Sequence, residues 1–269
     1  MKSSSFAVLA IAAAVAAAAC SNSTTGALSL SLSSRKAPPI VAAPAFGSAP
    51  ASAATVVVSA GDSTVIALGS DTVILRSVEL VLKKIELKRV ESSSCDSIAD
   101  NGDCEEFESG AALVALPLGT TAAPAQIAVN APDGLYDKLE FKIHKVDSTA
   151  DAAFLAAHPG FGGVSIKVTG TFSHAGSRSD FTYTTSLDAS EEMDLNPPIT
   201  VSGGTGINVT LRMDVSTWYL NAGKTALVDP ASGNAGQANE SLVQNNIENS
   251  IHAFRDNNHD GADDDHEGS

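Results

Sequence analysis

The chain has 269 residues, 31 of them acidic and 16 basic, for a formal charge of −15. That balance repels phosphate backbones and makes nucleic acid a poor partner. It also repels anionic headgroups, so any membrane attachment must come from lipid rather than from surface charge. Cations are the partners this charge favours, and the length suits a single core-forming domain with some decoration.

Residues 1–20 read as an export signal. Lys2 precedes an apolar run, Phe6 to Ala19, which Cys20 closes. The run is shorter than the roughly 20 residues needed to span a bilayer, so a cleaved leader fits better than a retained helix. Small residues before Cys20 and the polar stretch Ser21 to Thr25 predict lipidation of Cys20. Ala17 stands where lipoprotein signals usually carry Leu, and Ala17-Ala18-Ala19 also suits ordinary signal peptidase. Ser21 rather than Asp follows the cysteine, which by resemblance to proteobacterial lipoproteins favours the outer membrane. The expected location is thus the bacterial outer membrane, facing periplasm or cell surface, with the lipid anchor as membrane contact.

Residues 21–54 are rich in Ser, Ala and Pro, the composition of a tether. Within it Leu28, Leu30 and Leu32 alternate with serines, which predicts an edge strand at 28–32. A β-sandwich domain is expected over 55–238. It opens with Val56 to Val58, a Gly61-Asp62 turn, Thr64 to Leu68, a Gly69-Ser70-Asp71 turn and Thr72 to Leu75. In SVELVLKKIELKRV, Val78, Leu80 and Leu82 alternate in one phase and Ile85 and Leu87 in the other; a bulge at Lys83-Lys84 reconciles them as strand. The competing helical reading puts Val78, Val81, Leu82 and Ile85 on one face.

Cys95 and Cys104 bracket one polar loop, and in an exported chain they are expected to form a disulfide contributing about 2–3 kcal/mol. A redox pair or half of a zinc site is the alternative, but the CxxC spacing of either is missing. The acids around this loop, Asp96, Asp100, Asp103, Glu105 and Glu106, match no metal template. Ala112 to Leu118 and Gln126 to Val129 follow as short strands. Pro132-Asp133-Gly134 forms a turn that feeds a clean strand, with Leu139, Phe141 and Ile143 inward and Lys138, Glu140, Lys142 and His144 outward. Asp151 to Ala157 predicts a short helix, and two strands around His174 to Arg178 a hairpin. Ile207 to Val215 alternates as a strand ending near Trp218 and Tyr219. The sum is a mainly β chain: an antiparallel β-sandwich with a short C-terminal α-helix and acidic loop.

The stretch SVELVLKKIEL, the acidic loop flanked by Cys95 and Cys104, EEFESGAALVALPL and APDGLYDKLEFKIHKV together resemble a family of exported bacterial lipoproteins catalogued only as a domain of unknown function. The resemblance covers about Thr72 to Val146, with INVTLRMDVSTWY as a weaker echo. It implies a secreted β-sandwich akin to transthyretin-type or carboxypeptidase-regulatory modules, and it supplies no catalytic residues.

Residues 239–269 carry the most specific chemical signal. Val243, Ile247, Ile251 and Phe254 fall on one helical face, with Ser241 and Gln244 as a capping box. The helix is expected to run into DNNHDGADDDHE, where Asp256, Asn258, Asp260, Asp264 and Glu267 fall at positions 1, 3, 5, 9 and 12 of a calcium loop. Gly261 occupies the sharp turn and the Ala262 carbonyl position 7. Calcium takes six to eight hard oxygens, which this spacing offers. Asp263 replaces the apolar residue of a true EF-hand, so the segment resembles an isolated dockerin-type or thrombospondin-type loop. A solvated acidic tail is the competing reading. His252, His259 and His266 recur every seven residues without the helical pairing that zinc or nickel would need.

No GxSxG, HExxH or phosphate-binding glycine loop occurs. The expectation is a non-enzymatic binding or structural protein of the envelope, with calcium as cofactor and a glycan or protein ligand. A glycan hydrolase and a periplasmic metal-handling protein are the alternatives.

Overall fold

The computed structural model describes residues 25–34, 56–60, 63–90, 106–119, 125–202, 208–256 and 263–264. The strands, in chain order, begin with β1 (Thr25–Ser33), β2 (Val56–Ala60), β3 (Ser63–Leu68), β4 (Asp71–Arg89), β5 (Glu106–Glu108) and β6 (Ala112–Ala115). They continue with β7 (Ala125–Pro132), β8 (Gly134–Ile143), β9 (Ile166–His174), β10 (Ser177–Thr185), β11 (Ala189–Val201), β12 (Asn208–Met213) and β13 (Ile251–Arg255). Two short helices, α1 (Ala152–Ala157) and α2 (Glu240–Glu248), complete the set. The strands make two largely antiparallel sheets, so the chain is a mainly β, sandwich-like fold.

β4 is the spine of the larger sheet. Its nineteen residues pair with β3, β5, β6, β8 and β9. A strand this long stays amphipathic only if its phase can be reset. Register shifts fall between Leu75 and Ser77 against β9, and between Leu82 and Lys84 against β8. The buried set accordingly steps from Val73 and Leu75 to Val78, Leu80 and Leu82, then to Ile85 and Leu87. The bulge expected at Lys83-Lys84 is there, and the helical alternative is not adopted. Val81, on the outer face, is buried in a small cluster with Val146 and Phe161.

The smaller sheet has the order β13-β12-β1-β7. Here the edge strand expected at 28–32 is corrected: β1 lies inside the sheet, parallel to β12 on one side and antiparallel to β7 on the other. Both neighbours are needed because Leu30 and Leu32 are fully buried and every second residue must face the core. The sandwich therefore extends past 55–238 at both ends. One core cluster contains Leu30 and Leu32 from β1 together with Val243, Ile247 and Ile251 near the C-terminus.

The C-terminal helix is also corrected. It ends at Glu248, and Ile251 and Phe254 belong to β13, which pairs with β12. Sheet pairing overrides the helical spacing because the short stretch gains a hydrogen-bonded neighbour along its whole length. Asn239, with no side-chain cap bond, precedes the helix in place of a Ser241–Gln244 capping box.

The Pro132–Gly134 turn does not join a hairpin. It carries the chain from β7 in the small sheet to β8 in the large one. Tyr136 is fully buried and donates its hydroxyl to the Pro132 carbonyl at 2.8 Å, while the Arg89 guanidinium lies 5.6 Å from its ring centre. A Cβ at Gly134 would come within 3.1 Å of Arg89 Nε and 3.3 Å of the Tyr136 ring, so Gly keeps this corner tight. The β9–β10 hairpin closes through Ala175 (φ 48°) and Gly176 (φ 80°), the positive pair that matches strand twist.

On β9, Gly170 opposes Phe181 of β10 and Leu75 of β4. A side chain there would overlap the Ile74 carbonyl oxygen and stand 2.8 Å from the Phe181 ring. Gly170→Ala is expected to cost about 3 kcal/mol by overpacking, read as a lowered urea midpoint. Tyr136→Phe, which strips the corner of one hydrogen bond, is expected to cost about 1 kcal/mol in the same titration.

Candidate functional site

Of the twelve positions from Asp256 to Glu267, the described ones are Asp256, Asp263 and Asp264. Asp256 directly follows β13 and is 1% exposed. Its Oδ2 accepts a hydrogen bond from the Thr210 hydroxyl of β12 at 2.8 Å, and its N–H donates to the Asn208 carbonyl at 3.2 Å. The first residue of the acidic loop is thus built into the sheet rather than hung from it. The Asp264 N–H donates to the Arg255 carbonyl at 3.2 Å, which returns position 9 of the loop to the side of position 1. Asn258, Asp260, Ala262 and Glu267 lie outside the described residues, as do Cys20, Cys95 and Cys104. Among the described residues no three His, Cys, Asp or Glu side chains converge on a metal geometry, and no helix is long and apolar enough to cross a membrane. His252 is exposed on β13 opposite Arg212.

A second polar centre covers the outer face of the large sheet, and the sequence reading missed it. Lys84, Glu86 and Lys88 of β4 sit in direct register with Lys142, Glu140 and Lys138 of β8. Like charges therefore face each other across the strands, an unfavourable arrangement unless neighbours neutralise it. They do so both along a strand and diagonally across strands. Glu86 lies 2.5 Å from Lys84 and 3.5 Å from Lys88; Lys138 lies 2.9 Å from Glu192; and Lys84 also meets Glu108. The Glu86 side chain is only 5% exposed. Burial alone would raise its pKa, but hydrogen bonds and charge from Lys84, then Lys88, hold it below the ordinary glutamate value. Burial likewise pulls Lys84 down, but Glu108 and Glu86 outweigh it and keep the ammonium well above its usual range. The alternation Lys-Glu-Lys on each strand was visible; which rows would meet required the register.

Beside this lattice lies a cleft of about 340 Å³ lined by Lys83, Lys84, Glu108, Lys142, His144 and Asp151, among others. The Lys83 bulge sends its ammonium to Asp151, which precedes α1 and also accepts from the Asp147 N–H at 2.7 Å. His144, expected at the surface, is half-buried, with Nδ1 3.4 Å from Asp188. Trp218 and Tyr219 are fully buried, so they belong to the core and present no sugar-stacking face. The Trp218 indole N–H donates to Ser250 at 2.8 Å, and Tyr219 packs edge-on against Phe181 and Tyr183.

Comparisons with protein-family models, with curated proteins and with solved structures each returned no match.

The pH dependence of the lattice follows from Glu86. Its folded pKa is depressed, so its contribution to stability is present above about pH 4.5 and is lost as pH falls through the folded value. Glu86→Gln is expected to lower stability at pH 7 by about 1–2 kcal/mol and to flatten the acid limb of the stability curve below that pH. Urea titrations at a series of pH values check this; an unchanged acid limb would refute the assignment.

Proposed function

We propose that this chain is an exported, lipid-anchored module of the bacterial envelope with a binding or structural role, and that its C-terminal acidic loop takes calcium. In this reading Cys20 carries the lipid, Cys95 and Cys104 close a disulfide, and Asp256, Asn258, Asp260, Ala262, Asp264 and Glu267 supply oxygens to the ion. The ligand is a glycan or protein at the outer membrane.

The observation that carries the calcium reading is the seating of Asp256. A metal-binding carboxylate works best when a neighbouring donor fixes its orientation, and the Thr210 hydroxyl does this from an adjoining strand. The Asp264-to-Arg255 hydrogen bond adds the loop closure that a twelve-residue calcium site requires. The donors are all hard oxygens, which fits calcium rather than zinc. The disulfide reading gains from the pairing of Lys88 with Glu106, because residues 90–105 then leave and re-enter neighbouring strands. In the cleft, Glu108 and Asp151 are each taken up by a lysine, which supports a binding surface over a pair of catalytic carboxylates.

Calorimetric titration of the purified chain tests the metal reading. Calcium is expected to bind with a Kd of about 10⁻⁴–10⁻³ M. At 10 mM it should then stabilise the fold by about 1–3 kcal/mol. Asp256→Asn and Asp260→Asn should abolish the heat; no heat and no rise in Tm at millimolar calcium would sink the proposal. Growth in labelled palmitate tests the anchor, with incorporation expected in the wild-type chain and lost in Cys20→Ser.

A further inference from the structure

The register of β1 fixes which end of the sandwich lies nearest the lipid. Thr25 pairs with Pro132 at the last residue of β7, and the next residues turn the corner into β8. Gly134 opposes Val201 at the end of β11, Arg89 opposes Tyr136 at the end of β4, and Arg255 opposes Val209 close to the start of β12. All these termini lie at one pole. β1 is an interior strand, and its first residue, Thr25, lies at the end of the sheet rather than along an edge.

Four residues, and so five Cα-to-Cα steps, separate Cys20 from Thr25. Even fully extended, they reach no more than about 18 Å. The longer tether that the composition of 21–54 suggests is therefore not what would separate the sandwich from a lipid on Cys20, since 25–34 belong to the sheet. The same pole carries the one exposed large apolar side chain among the described residues. Leu135 is 45% exposed beside the corner, and its carbonyl accepts the Val90 N–H at 3.1 Å. A leucine held open to water by a buried Tyr136 anchor is a side chain suited to an interfacial environment.

We propose that the sandwich stands end-on against the bilayer, with the pole that carries Thr25 and Leu135 facing the lipid and the β9–β10 hairpin pointing away. The proposal rests on lipidation of Cys20 and adds the orientation that such an anchor imposes. Arg178, exposed on β10, pairs with Ser173, which pairs with Thr72 at the opposite end of β4 from Arg89, so it marks the distal pole. The ligand-contacting surfaces would then be the outer sheet face and that hairpin.

The test uses the full lipidated chain reconstituted into neutral phosphatidylcholine vesicles, which removes headgroup charge as a variable. A fluorophore is attached to Leu135→Cys or to Arg178→Cys without reduction, with the unsubstituted chain as background, and a headgroup-borne quencher is added. Quenching is expected to be several-fold stronger at position 135 than at 178. Inserting ~20 Gly/Ser residues after Ser23 should erase most of that difference, because a flexible linker of that length samples all orientations. Equal or reversed quenching in chains that co-float with the vesicles would overturn the orientation while leaving the anchor intact. A difference that survives the insertion would overturn the short-link argument. Failure of every chain to float would remove the anchor and the orientation with it.

Discussion

The structure depends on one long strand changing phase without breaking. β4 pairs with five other strands, and one of its faces must stay apolar along most of its length. Continued without the second shift, the phase of Val78, Leu80 and Leu82 would turn Ile85 and Leu87 to water and bury Lys84 and Lys88. Burying two ammonium groups in an apolar core would cost several kcal/mol each. The bulge at Lys83 avoids this by advancing one residue, and it has a second effect. It places Lys83 and Lys84 side by side, one reaching Asp151 and the other Glu86 and Glu108. The core and the charged outer face are therefore solved by the same irregularity.

Both ends of the chain close the other sheet. β12 is flanked by β1 from the N-terminal side and by β13 from the C-terminal side. The β1 flank forms only when segments some 180 residues apart in sequence have met, whereas β13 lies about 40 residues from its partner in β12. Such pairing is slow to form and cooperative once formed. It also means that a perturbation at Asp256 is felt directly in the strand that carries β1, since Thr210 of β12 holds the carboxylate.

Much of the fold was legible, and the failures have physical reasons. Alternation read the strands of the body well because one face is buried and the other wet: Leu139, Phe141 and Ile143 are inside, as their spacing required. The Lys83 bulge was legible because two opposed phases met within one run. Alternation could not show that β1 is interior, since a strand with serines on its second face looks half-exposed. In the structure Ser31 is 1% exposed, so both faces are covered. Ile251 and Phe254 misled because, three apart, they lie on opposite faces of β13 and both are buried, so a short strand covered on both sides mimics helical spacing. Of the candidate site, the motif DNNHDGADDDHE was plain, while the support from Thr210 needed the neighbouring strand. The charged lattice was hidden for a similar reason: sequence gives the order of charges along each strand, and register decides which ones meet.

The distribution of charge gives the acidic composition a place. Eleven of the 31 carboxylates fall within 91–105 and 256–269, which contain no lysine or arginine. The rest of the chain is close to balanced, and on the large sheet its lysines are matched with acids along and across strands. Both acidic segments leave the sheets at the pole where β1 begins, one after Arg89 and the other after Arg255. Most of the surplus negative charge therefore belongs to two short segments of the sequence, and self-repulsion within them is strongest at low ionic strength. Divalent cations can relieve that repulsion by diffuse screening or, as proposed above, by direct ligation in the C-terminal loop. The two differ in what a single substitution does. Screening depends on the sum of the charges and falls only slightly when one carboxylate is neutralised. The proposed ligation depends on the carboxylate that Thr210 holds, and it would be lost with Asp256 alone.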